Sequence, residues 1–322
     1  MGTVYAVASA KGGVGKTTTT AALATVLADS GADVVAIDAD LGMANLASAV
    51  GVTPGEVTLH DVLAGEAATA AVVSDGPAGL RVVPGAADLD AYAAADPSGL
   101  REVIESFDEA DYVFVDGGAG LSHDSTLPLA LADETLLVST PDRTALGDTE
   151  KTRQLTERLG GTVAGAAITR VESGSDAATD EAVSETLDAP VLGRIPEDEA
   201  VARAAAADRP LSIDAPDSPA MRAYRDLARS LTGVAVDGAG ESTADGEAET
   251  PSDGTGTPGD DGGERGGSGE GDDGIIVADP DPTGIADPSD GDDIIVADES
   301  APEPPTAGES TTEESTATDE AA

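Results

Sequence analysis

The chain has 322 residues, no cysteine and a formal net charge of −47 at pH 7, from 63 acidic residues against 16 Lys+Arg. That balance argues against strong nucleic-acid binding and against adhesion to anionic membrane, since both attract positive charge. The missing cysteine excludes disulfides, thiolate metal sites and iron–sulfur clusters. Residues 1–236 carry 15 basic and 37 acidic residues, and residues 237–322 one basic and 26 acidic, so both parts are acidic. With three lysines against thirteen arginines, the body reads as adapted to a very salty cytoplasm, where repulsion is screened within about 3 Å at roughly 1 M salt. The N-terminus runs into an apolar segment without a basic region or a small-residue cleavage site. No stretch approaches the roughly 20 apolar residues of a membrane span. A cytoplasmic protein is expected.

Apolar runs of strand length alternate with stretches of helical period. The pattern predicts strands at 4–9, 33–38, 80–83, 112–116, 135–140, 163–169 and 190–195, and helices at 18–29, 98–109, 145–159, 176–187, 197–207 and 217–232. Near-continuous apolar strands separated by helices specify an α/β fold with a doubly wound, mostly parallel sheet and helices on both faces. In the last helix Arg222, Arg225 and Arg229 share one face beside Met221, Tyr224, Ala228 and Leu231. It reads as a terminal helix packed on the domain with its arginines outward in ion pairs; a membrane-binding amphipathic helix is the other reading. Beyond residue 236 the composition shifts to Gly, Pro, Ser, Thr, Asp and Glu. Residues 237–322 have too little apolar surface to offset ordering entropy, and a disordered acidic tail is expected. Its two near-copies, "DDGIIVAD" and "DDIIVAD", offer Ile275, Ile276 and Val277, then Ile294, Ile295 and Val296. These are candidates for adding to a partner's sheet edge, with drift in a duplicated low-complexity segment as the alternative.

The first strand leads into "SAKGGVGKTTTT", residues 9–20, which holds Lys11 and Lys16, two of the three lysines. The general phosphate-loop pattern is G-x-x-x-x-G-K-[ST], and Ala10 stands at its first glycine. Gly12, Gly13 and Gly15, with Val14 among them, let the backbone approach a triphosphate and turn N–H groups towards it. A helix starting at Thr17, with Thr18 next in it, adds the positive end of its dipole. Lys16 supplies a cation for the β and γ phosphates, and the Thr17 hydroxyl can ligate Mg²⁺. The second strand ends in "IDADLGMANLASAVG", with Asp38 and Asp40 two apart and able to point at the same region; a helix cap is the plainer reading of Asp40. "YVFVDGGAG" ends an apolar strand in Asp116, the form of an acid that holds Mg²⁺ directly or through water. His60 and His123 read as surface residues without a role.

"KGGVGKTT", the D-x-D-x-G run from Asp38 and the 112–120 segment together resemble the deviant Walker A ATPases of the MinD/ParA family. The resemblance covers residues 1 to about 232 and leaves the tail outside. It implies a P-loop NTPase domain, 1–236, that binds ATP and Mg²⁺ and hydrolyses ATP. The catalytic set it implies is Lys11, Lys16 and Asp40. Lys11 would cross a homodimer interface to the partner's phosphates, the plainer alternative being a surface lysine that adds to the local field. Asp40 would position the attacking water, Asp38 would support a Mg²⁺ shell with Thr17 and Asp116, and Asn45 and Gly120 would belong to two switches. Thr169 stands in place of the family's base-reading asparagine, which leaves Arg170, Pro196 and Asp198 for the base. Gly117 and Gly118 replace a small polar residue and a proline or alanine, which implies a more flexible second switch. The acidic "GVAVDGAGESTADGE" after the last helix replaces the basic membrane helix of MinD proteins and argues against direct membrane attachment.

The implied function is a switch: an ATP-dependent sandwich dimer whose hydrolysis positions a division site, motility machinery or chemosensory array. An activating or cargo protein would set its rate and could concentrate it at poles or membrane. The alternative is a scaffold that binds nucleotide with little turnover and recruits partners through its acidic tail. A ligase or synthetase on the same fold would need a second substrate pocket, which the sequence does not display.

Overall fold

A computed structural model describes residues 2–172 and 179–236. The tail with its Ile275–Val277 and Ile294–Val296 triplets lies outside the described residues, as do residues 176–178 of the helix expected at 176–187. In chain order the elements are β1 (Thr3–Ser9), α1 (Lys16–Asp29), β2 (Val34–Ala39), α2 (Leu46–Ala49), α3 (Leu59–Leu63), β3 (Ser74–Asp75), β4 (Arg81–Val83), α4 (Leu89–Ala94) and α5 (Leu100–Glu105). Then follow β5 (Tyr112–Ala119), α6 (His123–Leu131), β6 (Glu134–Ser139), α7 (Arg143–Arg158), β7 (Thr162–Val171), α8 (Asp180–Leu187), β8 (Val191–Pro196), α9 (Glu199–Ala206), α10 (Leu211–Asp214) and α11 (Pro219–Thr232).

The strands form one sheet in the order β3-β4-β2-β5-β1-β6-β7-β8, parallel except at β3. This is the doubly wound α/β fold that the strand and helix pattern specifies. Strand side chains alternate between two buried layers, as the period of two requires. Tyr5, Val34, Ala36 and Phe114 join α1 and α11 on one face, whereas Val4, Val35, Ile37, Val113 and Val115 meet α3 and α5 on the other. Helix α1 is buried on nearly every side through alanines and threonines, and Thr19, Thr20 and Thr25 return their hydroxyls to the helix's own carbonyls. Phe114 is fully buried and stacks on Tyr5 with ring centroids 5.5 Å apart. Phe114→Ala should therefore cost about 3–5 kcal/mol, read as a lower denaturation midpoint at unchanged m-value.

Several local expectations change. The helix expected over 98–109 is a 3₁₀ turn at Pro97–Gly99 followed by α5, which stops at Glu105. The arginine stripe of α11 is not uniformly outward. Arg225 is buried and donates from Nη1 to the Pro216 carbonyl at 2.8 Å, while Arg229 pairs with Asp226 at 2.5 Å. Gly117 and Gly118 continue β5, with Gly117 paired to Ala39, and the register against β1 shifts by one residue across them, between the Val7–Asp116 and Ser9–Ala119 pairs. A Cβ on Gly118 would come within 2.9 Å of Ser125 Oγ, so the glycine lets the first turn of α6 close onto the strand. Both outer strands are short or bounded by proline: β3 spans two residues before Pro77, and β8 follows Pro190 and ends on Pro196. No helix among the described residues is long and apolar enough to cross a membrane.

Candidate nucleotide site

The carboxyl ends of β1, β2 and β5, the three central neighbours, converge on one edge of the sheet. Beyond β1 the chain turns through Gly13 and Gly15, both with left-handed backbone (φ 76° and 93°), a conformation that glycine adopts without steric cost. Gly15 is the N-cap of α1 and supplies no side chain. The first-turn N–H groups of Lys16, Thr17 and Thr18 therefore face the loop, where an anion is stabilised by them and by the helix dipole. The helix begins at Lys16, two residues before the expected 18–29 range and one before Thr17.

Lys16 is buried, and its Nζ lies 3.6 Å from Asp116 Oδ1 and 3.9 Å from Asp40 Oδ2. Asp38 and Asp116 stand side by side in register on β2 and β5, both buried. Burial first, and then the charge of Asp116, push the Asp38 carboxyl up to about 8, against hydrogen bonds from the backbone of Leu46 and Asp40. Burial also raises Asp116, opposed by Lys16 and by the hydroxyls of Thr17 and Thr20. Thr20 Oγ1 donates to Asp116 Oδ1 at 3.0 Å, whereas Asp116 Oδ2 is buried with no hydrogen-bond partner. A buried carboxylate oxygen without a donor suits a cation. No group of three or more His, Cys, Asp or Glu among the described residues is arranged to hold a metal by itself. That pattern fits Mg²⁺, which keeps waters and takes one or two protein ligands together with phosphate oxygens.

The remaining predicted residues divide into two groups. Gly12 and Gly13 are exposed and open, Val14 is buried under the loop, and Asn45 is an exposed N-cap of α2. Gly120 has a left-handed backbone (φ 96°), and its N–H donates to the Ser9 carbonyl at 3.2 Å, tying the segment after β5 to the end of β1. Lys11 stands apart from the Lys16 cluster. It is exposed and, among the described residues, makes no ion pair; its charge helps lower Asp148 on α7, after the larger effect of Lys151.

On the base side Arg170 is exposed at the end of β7, with φ 52°. Asp198 is turned inward: its oxygens accept the N–H groups of Ala200 at 2.9 Å and Ala220 at 3.1 Å, joining the starts of α9 and α11. It is a double helix cap in this structure, and Pro196 ends β8 just before it. Thr169 is buried, and its hydroxyl lies 2.5 Å from the Val14 carbonyl and 3.2 Å from that of Ser139, so it braces the phosphate loop against β6 and β7. Sequence reading also missed Thr20, which belongs to the i+4 row above Lys16 and so had a recoverable signal. His60, expected on the surface, is 1% exposed; no spacing marks a lone histidine as buried.

The chain matches the CobQ/CobB/MinD/ParA nucleotide binding domain over residues 5–211. It is 38% identical over 234 residues to an uncharacterized ATP-binding protein of Methanocaldococcus jannaschii, covering 72% of this chain and 89% of the relative. Its fold superposes on the cell division ATPase MinD of Pyrococcus furiosus with a TM-score of 0.68 at 37% identity, covering 73% of this chain and all of that one. The septum site-determining protein MinD of Pyrococcus horikoshii OT3, complexed with Mg-ADP, superposes with a TM-score of 0.68 at 33% identity, over 72% of this chain and 96% of that one.

Proposed function

The chain belongs to the CobQ/CobB/MinD/ParA family of nucleotide-binding domains, and from that premise we propose that it is an ATP-hydrolysing switch. The observation that supports this most is the placement of Lys16 between Asp40 and Asp116 at the start of a helix whose first N–H groups are uncapped. Phosphates would lie on the Gly12–Thr18 backbone with Lys16 on the β and γ groups, and the charge developing on the transferred phosphoryl would be met by preorganised donors. Thr17 and Asp116 would hold Mg²⁺, with Asp38 behind them. The ion would neutralise charge on the phosphate oxygens and hold them in place for attack. Asp40, only partly buried at 19% exposure, has access to the water that attacks the γ-phosphate. Arg170 and Pro196 would flank the base.

The exposed Lys11 fits a role in trans. Two copies would sandwich two ATP molecules, hydrolysis would release them, and a partner protein would set the rate. The acidic segment 237–322 is a candidate for recruiting that partner, and the cellular task would be positioning a structure. Asp40→Ala tests the switch. ATP should still bind and hold the dimer, while turnover falls by about 10²–10⁴-fold. Turnover close to wild type would remove Asp40 from the chemistry. A scaffold with little turnover predicts instead that the wild-type rate already equals that of the variant.

A further inference from the structure

We infer that His60 is a positioning residue for the segment carrying Asp38 and Asp40, holding it against the loop that follows β4. The inference rests on the ATPase reading of the site. The imidazole is buried, with Nε2 2.9 Å from the Leu41 carbonyl and Nδ1 2.9 Å from the Ala86 N–H. A carbonyl only accepts and an amide N–H only donates, so the two partners fix the ring as the Nε2–H tautomer. One side chain thus satisfies one backbone group from each of two separate loops. Its neighbours in the chain are fixed as well: Thr58 and Asp61 form a capping box at the start of α3, and Leu59 N donates to the Pro84 carbonyl at 2.8 Å.

Leu41 directly follows Asp40, and the same short segment closes on itself. Met43 N donates to Asp40 Oδ1 at 3.2 Å, and Leu46 N to Asp38 Oδ2 at 2.8 Å. The loop that His60 binds also touches the segment itself. A Cβ on Gly85 would lie 2.7 Å from Ala44 Cβ and 3.5 Å from His60 Cε1, so loop 84–88 packs directly on both the segment and the ring. That loop leads into α4, where Tyr92 Oη donates to Asp124 Oδ2 at 3.0 Å, at the start of the helix after Gly120. His60 therefore joins the Asp40 segment to a path that reaches the Gly120 segment without passing through the phosphate loop. Misplacing a reacting group by about 1 Å costs on the order of 10²-fold in rate, so a clamp at Leu41 controls turnover without touching nucleotide.

The test uses the full chain and three substitutions. His60→Gln keeps one donor and one acceptor, His60→Leu keeps bulk and removes both, and Gly85→Ala presses on both Ala44 and the ring from the loop after β4. His60→Leu should lower kcat at least about tenfold with KM within about threefold, and His60→Gln should stay within about threefold of wild type. A Leu variant at the wild-type rate, a Gln variant as slow as Leu, or a KM that rises as far as kcat falls would each overturn the assignment. Gly85→Ala carries the same kcat test where His60→Leu does not fold, and an unchanged kcat there counts against it. Amide exchange at Leu46 and Ala86 needs no turnover, so it separates this proposal from the ATPase reading. Exchange should quicken about tenfold or more in His60→Leu and hold in His60→Gln, and equal protection in all chains would end the proposal.

Discussion

Lys16→Ala should abolish ATP turnover and weaken ATP binding on the order of 10²-fold, because truncating one side of a desolvated charge pair costs several kcal/mol. Its effect on the protein alone is as diagnostic. Lys16 is the only basic side chain within ion-pair distance of Asp40 and Asp116 among the described residues. Removing it leaves buried carboxylates facing one another, at a cost of about 3 kcal/mol near pH 8. The sign with pH follows from Asp116, whose folded-state value already lies above the usual carboxylate range because of burial. Without Lys16 it rises further. The folded state then binds more protons than the unfolded state, so stability is greatest in acid and falls as pH climbs through that range. Thermal melts in chelator should show the gap between variant and wild type widening from pH 5 to pH 8. A gap that narrows would mean that Lys16 does not compensate these carboxylates, and a wild-type ATPase rate would remove Lys16 from the chemistry.

Lys11→Ala should separate binding from assembly. Lys11 is exposed and unpaired among the described residues, away from the Lys16 cluster. Its loss should therefore leave ATP affinity within about threefold, since a surface charge contributes little on its own side. Turnover should still fall at least about 10²-fold, as expected of a cation supplied in trans to a phosphoryl group. Sedimentation with ATP and Mg²⁺ should show wild type dimeric and the variant monomeric. A variant that dimerises normally would return Lys11 to the role of a surface lysine near Asp148.

The sheet was legible because parallel strands covered on both faces are almost continuously apolar, as in "VYAVAS" and "YVFVD". The phosphate loop was legible because its glycines and Lys16 sit at fixed offsets between a strand and a helix. What escaped was short or interrupted. Helices α2 and α3 span four and five residues, too few for a helical period to register. Helix α6 contains Pro128 and opens on polar residues. The inward turn of Asp198 and the burial of Arg225 depend on which backbone group the fold brings opposite them, Ala220 N and the Pro216 carbonyl. Periodicity within a single element carries no trace of such partners. His60 is the same case at larger scale, since Leu41 and Ala86 lie 19 and 26 residues from it.

The two outer strands bear on how far self-association can spread. A bare sheet edge is a template on which neighbouring chains add strand by strand into fibrils. Here one edge is two residues long and runs into Pro77, and the other lies between Pro190 and Pro196, where proline cannot donate to a ladder. The first edge offers no run long enough to propagate, and the prolines confine the second to residues 191–195. Open-ended growth through the sheet needs both edges, so the two-residue edge at β3 is enough to stop it.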